Sequence, residues 1–135
     1  MPTAIEIISN SPDQTAQLGE QLGRLLRGGE VICLAGQLGA GKTVFAQGIG
    51  RGWAATDELT SPTFMLIHEL ERSIDRLKLY HIDLYRLEQE SEAWLLGLID
   101  LMDERASVLI EWPERAGSIL PPDRLWVTLE YVDET

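Results

Sequence analysis

The sequence has a single cysteine, Cys33, so no disulfide can close within the chain and no cysteine-rich metal site can form. Lysine is nearly as scarce: only Lys42 and Lys78 occur, and the arginines are scattered. Against 11 basic residues stand 22 acidic ones, a net charge of −11. A chain so poor in basic residues lacks the positive face that independent binding to DNA or RNA requires. If it acts on a nucleic acid, it does so through a partner; the same charge also serves simply to keep a domain soluble. Long apolar runs are missing too, and none approaches the ~20 residues of a membrane helix. The opening residues Met1 to Glu6 show no basic stretch followed by an apolar one, so no secretory leader is expected and the cytoplasm is the expected compartment.

What is present suits one packed unit spanning residues 1–135, with 44% hydrophobic residues. Ala4 to Ser9, rich in isoleucine, reads as a short strand. Ser11, Pro12 and Gln14 read as a helix start with a capping box, and Gly28-Gly29 as that helix's end. Val31 to Ala35 is a continuous apolar run, as in a strand buried on both faces. A helix is expected from Lys42 to about Gly52, then a loop from Thr60 to Thr63, where Pro62 keeps Ser61 extended. Phe64 to Leu70 and Leu77 to Leu84 read as strands joined in a hairpin by the polar Glu71 to Arg76. Glu88 to Leu98 reads as a helix, Val108 to Ile110 as a buried strand stopped by Pro113, and Leu125 to Tyr131 as the last strand. Strands mixed with helices in this order predict a three-layer α/β fold, a mixed and largely parallel sheet with helices on both faces.

Gly36-Gln37-Leu38-Gly39-Ala40-Gly41-Lys42-Thr43 matches the phosphate-loop pattern G-x-x-x-x-G-K-[ST] in full. Glycines there let successive backbone N–H groups turn inward as a nest for phosphate oxygens. The helix beginning near Lys42 aims its positive end at the same place. Leu38, Gly39, Ala40, Gly41, Lys42 and Thr43 are thus the candidate nucleotide contacts, with the Lys42 ammonium on the β- and γ-phosphates and the Thr43 hydroxyl on Mg²⁺. The pattern lies where it should, between a buried strand and a helix. Guanine-specific GTPases usually carry an N-K-x-D segment, and this chain has none, so ATP is the expected nucleotide.

P-loop enzymes also need a carboxylate at the end of a second buried strand, to hold Mg²⁺ through its water shell. Glu111 ends the run Val108-Leu109-Ile110 and is placed to serve Mg²⁺; an ordinary strand-end charge would look the same. Asp83 lies at the end of its strand, two residues from His81 and from Tyr85, so the three share a face. A carboxylate there can orient or deprotonate the attacking water, or serve as a partner for Arg86. His81 reads as a hydrogen-bonded core residue or a member of the site. Trp112 stacks on a base or a partner, or packs. Thr63 senses a γ-phosphate or forms a plain turn.

Taken together, the phosphate loop, Ser61-Pro62-Thr63-Phe64, His81-Ile82-Asp83-Leu84-Tyr85-Arg86 and Ile110-Glu111-Trp112-Pro113-Glu114-Arg115 resemble the TsaE family, also called YjeE. The resemblance runs from about Thr15 to Pro121. It implies an ATPase of bacterial tRNA threonylcarbamoyladenosine formation, resetting a complex of TsaD and TsaB that modifies the adenosine beside the anticodon, with tRNA reached only through those partners. It also implies Leu38 to Thr43 on the phosphates, Thr43 and Glu111 on Mg²⁺, Asp83 as catalytic or metal-linked, Trp112 near the nucleotide or the partner, and Thr15 beside the adenine. Gln37 stands where the family usually has Asp or Asn, with little effect expected because backbone groups hold the phosphates. The end at Thr135 is early for the family, so a final strand or helix is expected to be short or missing. Two other readings remain open from the residues: a nucleotide-gated assembly module without hydrolysis, and a small-molecule kinase.

Overall fold

The computed structural model describes residues 4–36, 41–57, 67–85, 97–102 and 105–130. Five strands form one sheet: β1 (Val31–Gly36), β2 (Ile67–Glu71), β3 (Lys78–Asp83), β4 (Ala106–Glu111) and β5 (Leu125–Leu129). Their order is β2-β3-β4-β1-β5. β3, β4, β1 and β5 run parallel, while β2 pairs antiparallel with β3 as the expected hairpin. β4 is buried at every position and β1 at all but the last, which is why their sequences read as unbroken apolar runs rather than alternating ones. β4 begins two residues before the expected Val108. Ala106 and Ser107 are weak strand formers, but the Ser107 hydroxyl donates to the Glu30 carboxylate at 2.7 Å and ties the strand's start to β1.

The sheet separates two apolar clusters. One holds Leu26, Ile32, Leu34, Phe45, Ile49, Trp53, Leu79 and Leu109 beneath the helices α1 (Pro12–Leu25) and α2 (Lys42–Trp53). The other holds Val31, Cys33, Ile82, Leu84, Val108 and Ile110. It is closed by Leu101 at the end of α3 (Leu98–Leu101), by Met102, and by Ala116, Ile119 and Leu120 in and after two 3-10 turns (Pro113–Arg115, Gly117–Ile119). No helix among the described residues is long and apolar enough to cross a membrane.

α1 starts as the sequence predicts. Ser11 accepts from the Gln14 N–H at 3.1 Å, with Pro12 in the first position. The Gln14 side chain accepts from the Asn10 N–H at 2.6 Å, one residue before the cap, so the box is not reciprocal. The helix ends at Leu25, short of Gly28-Gly29, because the Glu30 carboxylate takes the N–H groups of Arg27 and Gly28 at 2.8 Å each. The two glycines then make the turn, with φ of 108° and 91°.

α1 and α2 touch backbone to backbone. A Cβ on Gly19 would lie 2.3 Å from the Phe45 carbonyl oxygen, and one on Gly23 2.2 Å from that of Ile49. Reciprocally, a Cβ on Gly48 would lie 2.2 Å from the Ala16 oxygen, and one on Gly52 2.0 Å from that of Glu20. Contacts advance in the same direction on both helices, so the helices run parallel. Each carries two glycines four residues apart on the shared face, and only a hydrogen fits there.

Several expectations need correction or fall outside the described residues. Ala4 to Ser9 forms no strand: Ile5, Ile7 and Ile8 are exposed, and no strand among the described residues pairs with the segment. Isoleucine content makes a strand only against another strand. β5 ends at Leu129 and Glu130 lies outside it, while Tyr131 lies outside the described residues. So do the Thr60 to Thr63 loop, Phe64 to Leu66 of the expected strand, Arg86 and nearly all of the expected Glu88 to Leu98 helix, of which Leu98 instead opens α3.

Candidate functional site

The site forms where the parallel strands end and α2 begins, the crevice in which open α/β sheets bind ligands. Gly36 ends β1 at φ 136°, and a Cβ on it would strike the Leu129 carbonyl oxygen at 2.1 Å. Glycine is required there on both counts. Leu38, Gly39 and Ala40 lie outside the described residues. Gly41 re-enters with φ 95° as the cap of α2 and, having no side chain, makes no side-chain bond to the helix's first N–H groups. Such groups at a helix start suit an anion best. Thr43 follows in the first turn and is exposed, so its hydroxyl is open to solvent or a metal.

Lys42 is buried, and its ammonium sits 4.4 Å from the centre of the Trp112 ring. The Arg115 guanidinium lies 5.6 Å from the same ring, and the Tyr85 ring packs on it tilted by 54° at 5.1 Å. Trp112 itself has φ 59° and ψ 49°, the left-handed region, which is costly for a bulky residue and is met mostly at functional positions. Tyr85 lies beyond the end of β3, so the two-residue alternation that would align it with His81 and Asp83 no longer governs it.

Asp83 and Glu111 stand opposite each other, each the last residue of its strand. Asp83 is partly buried, and burial pushes its carboxyl above the usual range. The Tyr85 N–H, donating to Asp83 Oδ1 at 2.9 Å, opposes that shift. Glu111 raises it further, while His81 and Lys42 lower it. Glu111 is buried and its Oε2 lies 2.5 Å from Nε2 of the fully buried His81. Asp83, Glu111, Lys42 and Trp112 are thus brought together. Thr15 reaches the site from α1, its methyl group 3.6 Å from where a Cβ on Gly41 would stand. Its hydroxyl is held by Ser9 Oγ at 2.7 Å and the Ser11 carbonyl at 3.3 Å, so it presents an apolar surface toward the loop.

The donor set suits a magnesium-bound nucleoside triphosphate. Among the described residues no three His, Cys, Asp or Glu side chains cluster as a metal cage. Magnesium needs none, since it is usually held by one or two protein oxygens, substrate phosphates and water. Sequence reasoning missed the pairing of His81 with Glu111, the Tyr85 and Arg115 contacts with Trp112, and the glycine contact that sets Thr15 against Gly41. For the last the signal was visible, as the spacings Gly19 to Gly23 and Gly48 to Gly52.

Comparison with known proteins agrees with this geometry. Residues 9–135 match the family model described as threonylcarbamoyl adenosine biosynthesis protein TsaE. The tRNA threonylcarbamoyladenosine biosynthesis protein TsaE of Treponema pallidum is 38% identical over 122 residues, covering 90% of this chain and 88% of that protein. The protein of that name from Nostoc is 43% identical over 128 residues, covering 90% and 75%. Among solved structures, Bacillus subtilis YdiB superposes with a TM-score of 0.76 at 28% identity, covering 93% of this chain and 76% of that one. A P-loop nucleotide-binding fold, a family match over nearly the whole length and relatives at this identity lead to one assignment: this chain belongs to the TsaE family of tRNA threonylcarbamoyladenosine biosynthesis proteins.

Proposed function

We propose that this chain is a Mg²⁺-dependent ATPase that drives a TsaD–TsaB complex through cycles of tRNA threonylcarbamoylation in the cytoplasm. The observation that carries the reading is the pairing of Asp83 and Glu111 at adjacent strand ends, facing Lys42 at the start of α2. Two carboxylates set side by side cost stability, and catalysis of hydrolysis gives a reason to keep both. Residues 38–43 and the α2 N–H groups hold the phosphates, with Lys42 neutralising charge that develops on the transferred group. Thr43 and Glu111 hold Mg²⁺, which supplies electrophilic polarisation of the phosphates when bound. Asp83 orients the attacking water and accepts its proton, a role that its raised proton affinity favours. Thr15 offers its methyl surface to the adenine, and Trp112 sits between the nucleotide and a partner.

The acidic chain leaves tRNA binding to the partner proteins, in keeping with its net charge of −11. The test is phosphate release from Mg²⁺-ATP by the purified chain, with and without TsaD–TsaB. Slow turnover alone and a marked rise with the complex are expected. Absence of both turnover and nucleotide binding under either condition refutes the reading.

A further inference from the structure

His81 is fully buried, and of its two ring nitrogens one meets the Glu111 carboxylate while the other, Nδ1, has no hydrogen-bond partner among the described residues. This pairing is not the direct cross-strand one. In the β3–β4 register His81 stands opposite Leu109, and Glu111 stands opposite Asp83. The Glu111 side chain therefore reaches diagonally back along the sheet, away from Asp83, to place Oε2 2.5 Å from His81 Nε2.

The tautomer follows from the surroundings. A buried carboxylate needs a donor, so Nε2 carries the hydrogen and donates it to Oε2. Nδ1 then holds only a lone pair, the form in which an unpartnered buried ring nitrogen costs least; an Nδ1–H would be a stranded donor. Leu79, two residues before it, and Leu109, opposite it on the ladder, are both buried core residues, and His81 itself is fully buried, so its ring has little room to turn.

We propose that His81 is a positioning residue for Glu111: its Nε2–H fixes one carboxylate oxygen, holds the other, Oε1, in one orientation, and so sets the affinity of the site for Mg²⁺. The proposal rests on the functional reading above, in which Glu111 serves the metal. Glutamate has three side-chain torsions, and at a strand end nothing in the backbone fixes them. Without the imidazole, Glu111 is free to swing toward solvent, and the metal's ligand must be ordered anew at each binding event. Hydrogen bonds that orient a metal ligand in this way are generally worth 10–100-fold in metal affinity.

The experiment titrates Mg²⁺ against the binding of a fluorescent ATP analogue to the full chain and to the variants His81→Leu, His81→Gln and Glu111→Ala. Leucine fills the space without a donor; glutamine places an amide N–H near the position of Nε2. His81→Leu is expected to raise the half-saturating Mg²⁺ concentration about 10-fold or more, with nucleotide affinity in EDTA within about twofold of the parent. His81→Gln should recover most of the loss. A leucine variant with the parent's Mg²⁺ dependence overturns the proposal, as does a glutamine variant no better than leucine.

If the leucine variant does not fold, the unmodified protein decides. Long-range ¹H–¹⁵N spectra of ¹⁵N-histidine-labelled chain should show His81 protonated at Nε2 and bare at Nδ1. Its Nε2 resonance should move on adding Mg²⁺-ATP and stay in place with ATP plus EDTA. A proton on Nδ1, or no response to the metal, overturns the proposal. If the parent and Glu111→Ala titrate alike, Glu111 is no metal ligand and the functional reading fails first.

Discussion

Replacing Gly48 by alanine tests whether α1 and α2 are clamped backbone to backbone. The added Cβ would lie 2.2 Å from the Ala16 carbonyl oxygen, 3.0 Å from its carbon and 3.2 Å from its Cα. These are backbone atoms in the middle of a helix, so no side chain can rotate out of the way. Two effects then compete. Alanine favours a helix interior over glycine by about 1 kcal/mol. Against this, relieving the overlap requires the helices to part by roughly 1 Å, and a gap of that size forfeits up to about half of each dispersion contact across the interface. Overpacking of this kind generally costs about 1–3 kcal/mol, and the upper end applies because the obstacle is main chain.

The net effect is a loss of about 2 kcal/mol, which lowers the Tm of a domain this size by roughly 6–10 °C. Thermal unfolding followed by circular dichroism measures it, and Gly52→Ala, with its Cβ 2.0 Å from the Glu20 oxygen, should behave alike. The same displacement moves Thr15 off Gly41, so nucleotide affinity should fall as well. A Gly48→Ala protein that melts at or above the parent temperature shows that propensity has won and that the helices are not in backbone contact.

Asp83→Asn should abolish hydrolysis yet raise Tm at neutral pH. Burial raises the folded-state pKa of Asp83 above its unfolded value, so its contribution to stability is present below the unfolded pKa and lost as pH rises through the folded one. The gain from asparagine should therefore vanish in acid, and solvent screening keeps it to about a degree or two; equal melting shifts at pH 4 and pH 7 would contradict the assignment. Nucleotide binding should draw Lys42 away from the Trp112 ring and change the tryptophan emission, a response absent in Trp112→Phe; an unchanged response in that variant would place the signal elsewhere. Cys33 is buried and its thiol is pushed up to about 11 by that burial, so a thiol reagent at pH 8 should label it only after unfolding. Labelling of the native chain at the rate of a free thiol would refute its burial.

Sequence showed most where local chemistry decides structure. Val31 to Ala35 is apolar at every position and became an interior strand between β4 and β5, and Ser11-Pro12 marked a helix start that the fold uses. Glu111 was identifiable at a strand end because a single charge closes an apolar run. What stayed hidden depends on partners far along the chain. Ile5, Ile7 and Ile8 have the composition of a strand, but no described strand pairs with them. The end of α1 was set by Glu30, five residues after the last helical position, whose carboxylate captures N–H groups that a longer helix would have used. The meeting of His81 with Glu111 requires the register His81 to Leu109, which local pattern does not encode.

The site also explains why these hidden contacts matter. Asp83 and Glu111 are aligned on neighbouring strands, and like charges facing one another destabilise a sheet. Each is offset differently. Glu111 is turned away and bonded to His81, while Asp83 takes the Tyr85 N–H and feels Lys42. The two carboxylates are therefore not interchangeable. The buried, anchored one has a fixed oxygen to offer a metal, which needs a constant geometry. The partly buried one, with its raised proton affinity, can meet water and take a proton. Under the proposed function, burial and hydrogen bonding assign different roles to two side chains whose sequence positions alone left them open. The division predicts different failures. Loss of Glu111 should appear first as weakened metal dependence of nucleotide binding. Loss of Asp83 should leave Mg²⁺-ATP binding in place and remove turnover.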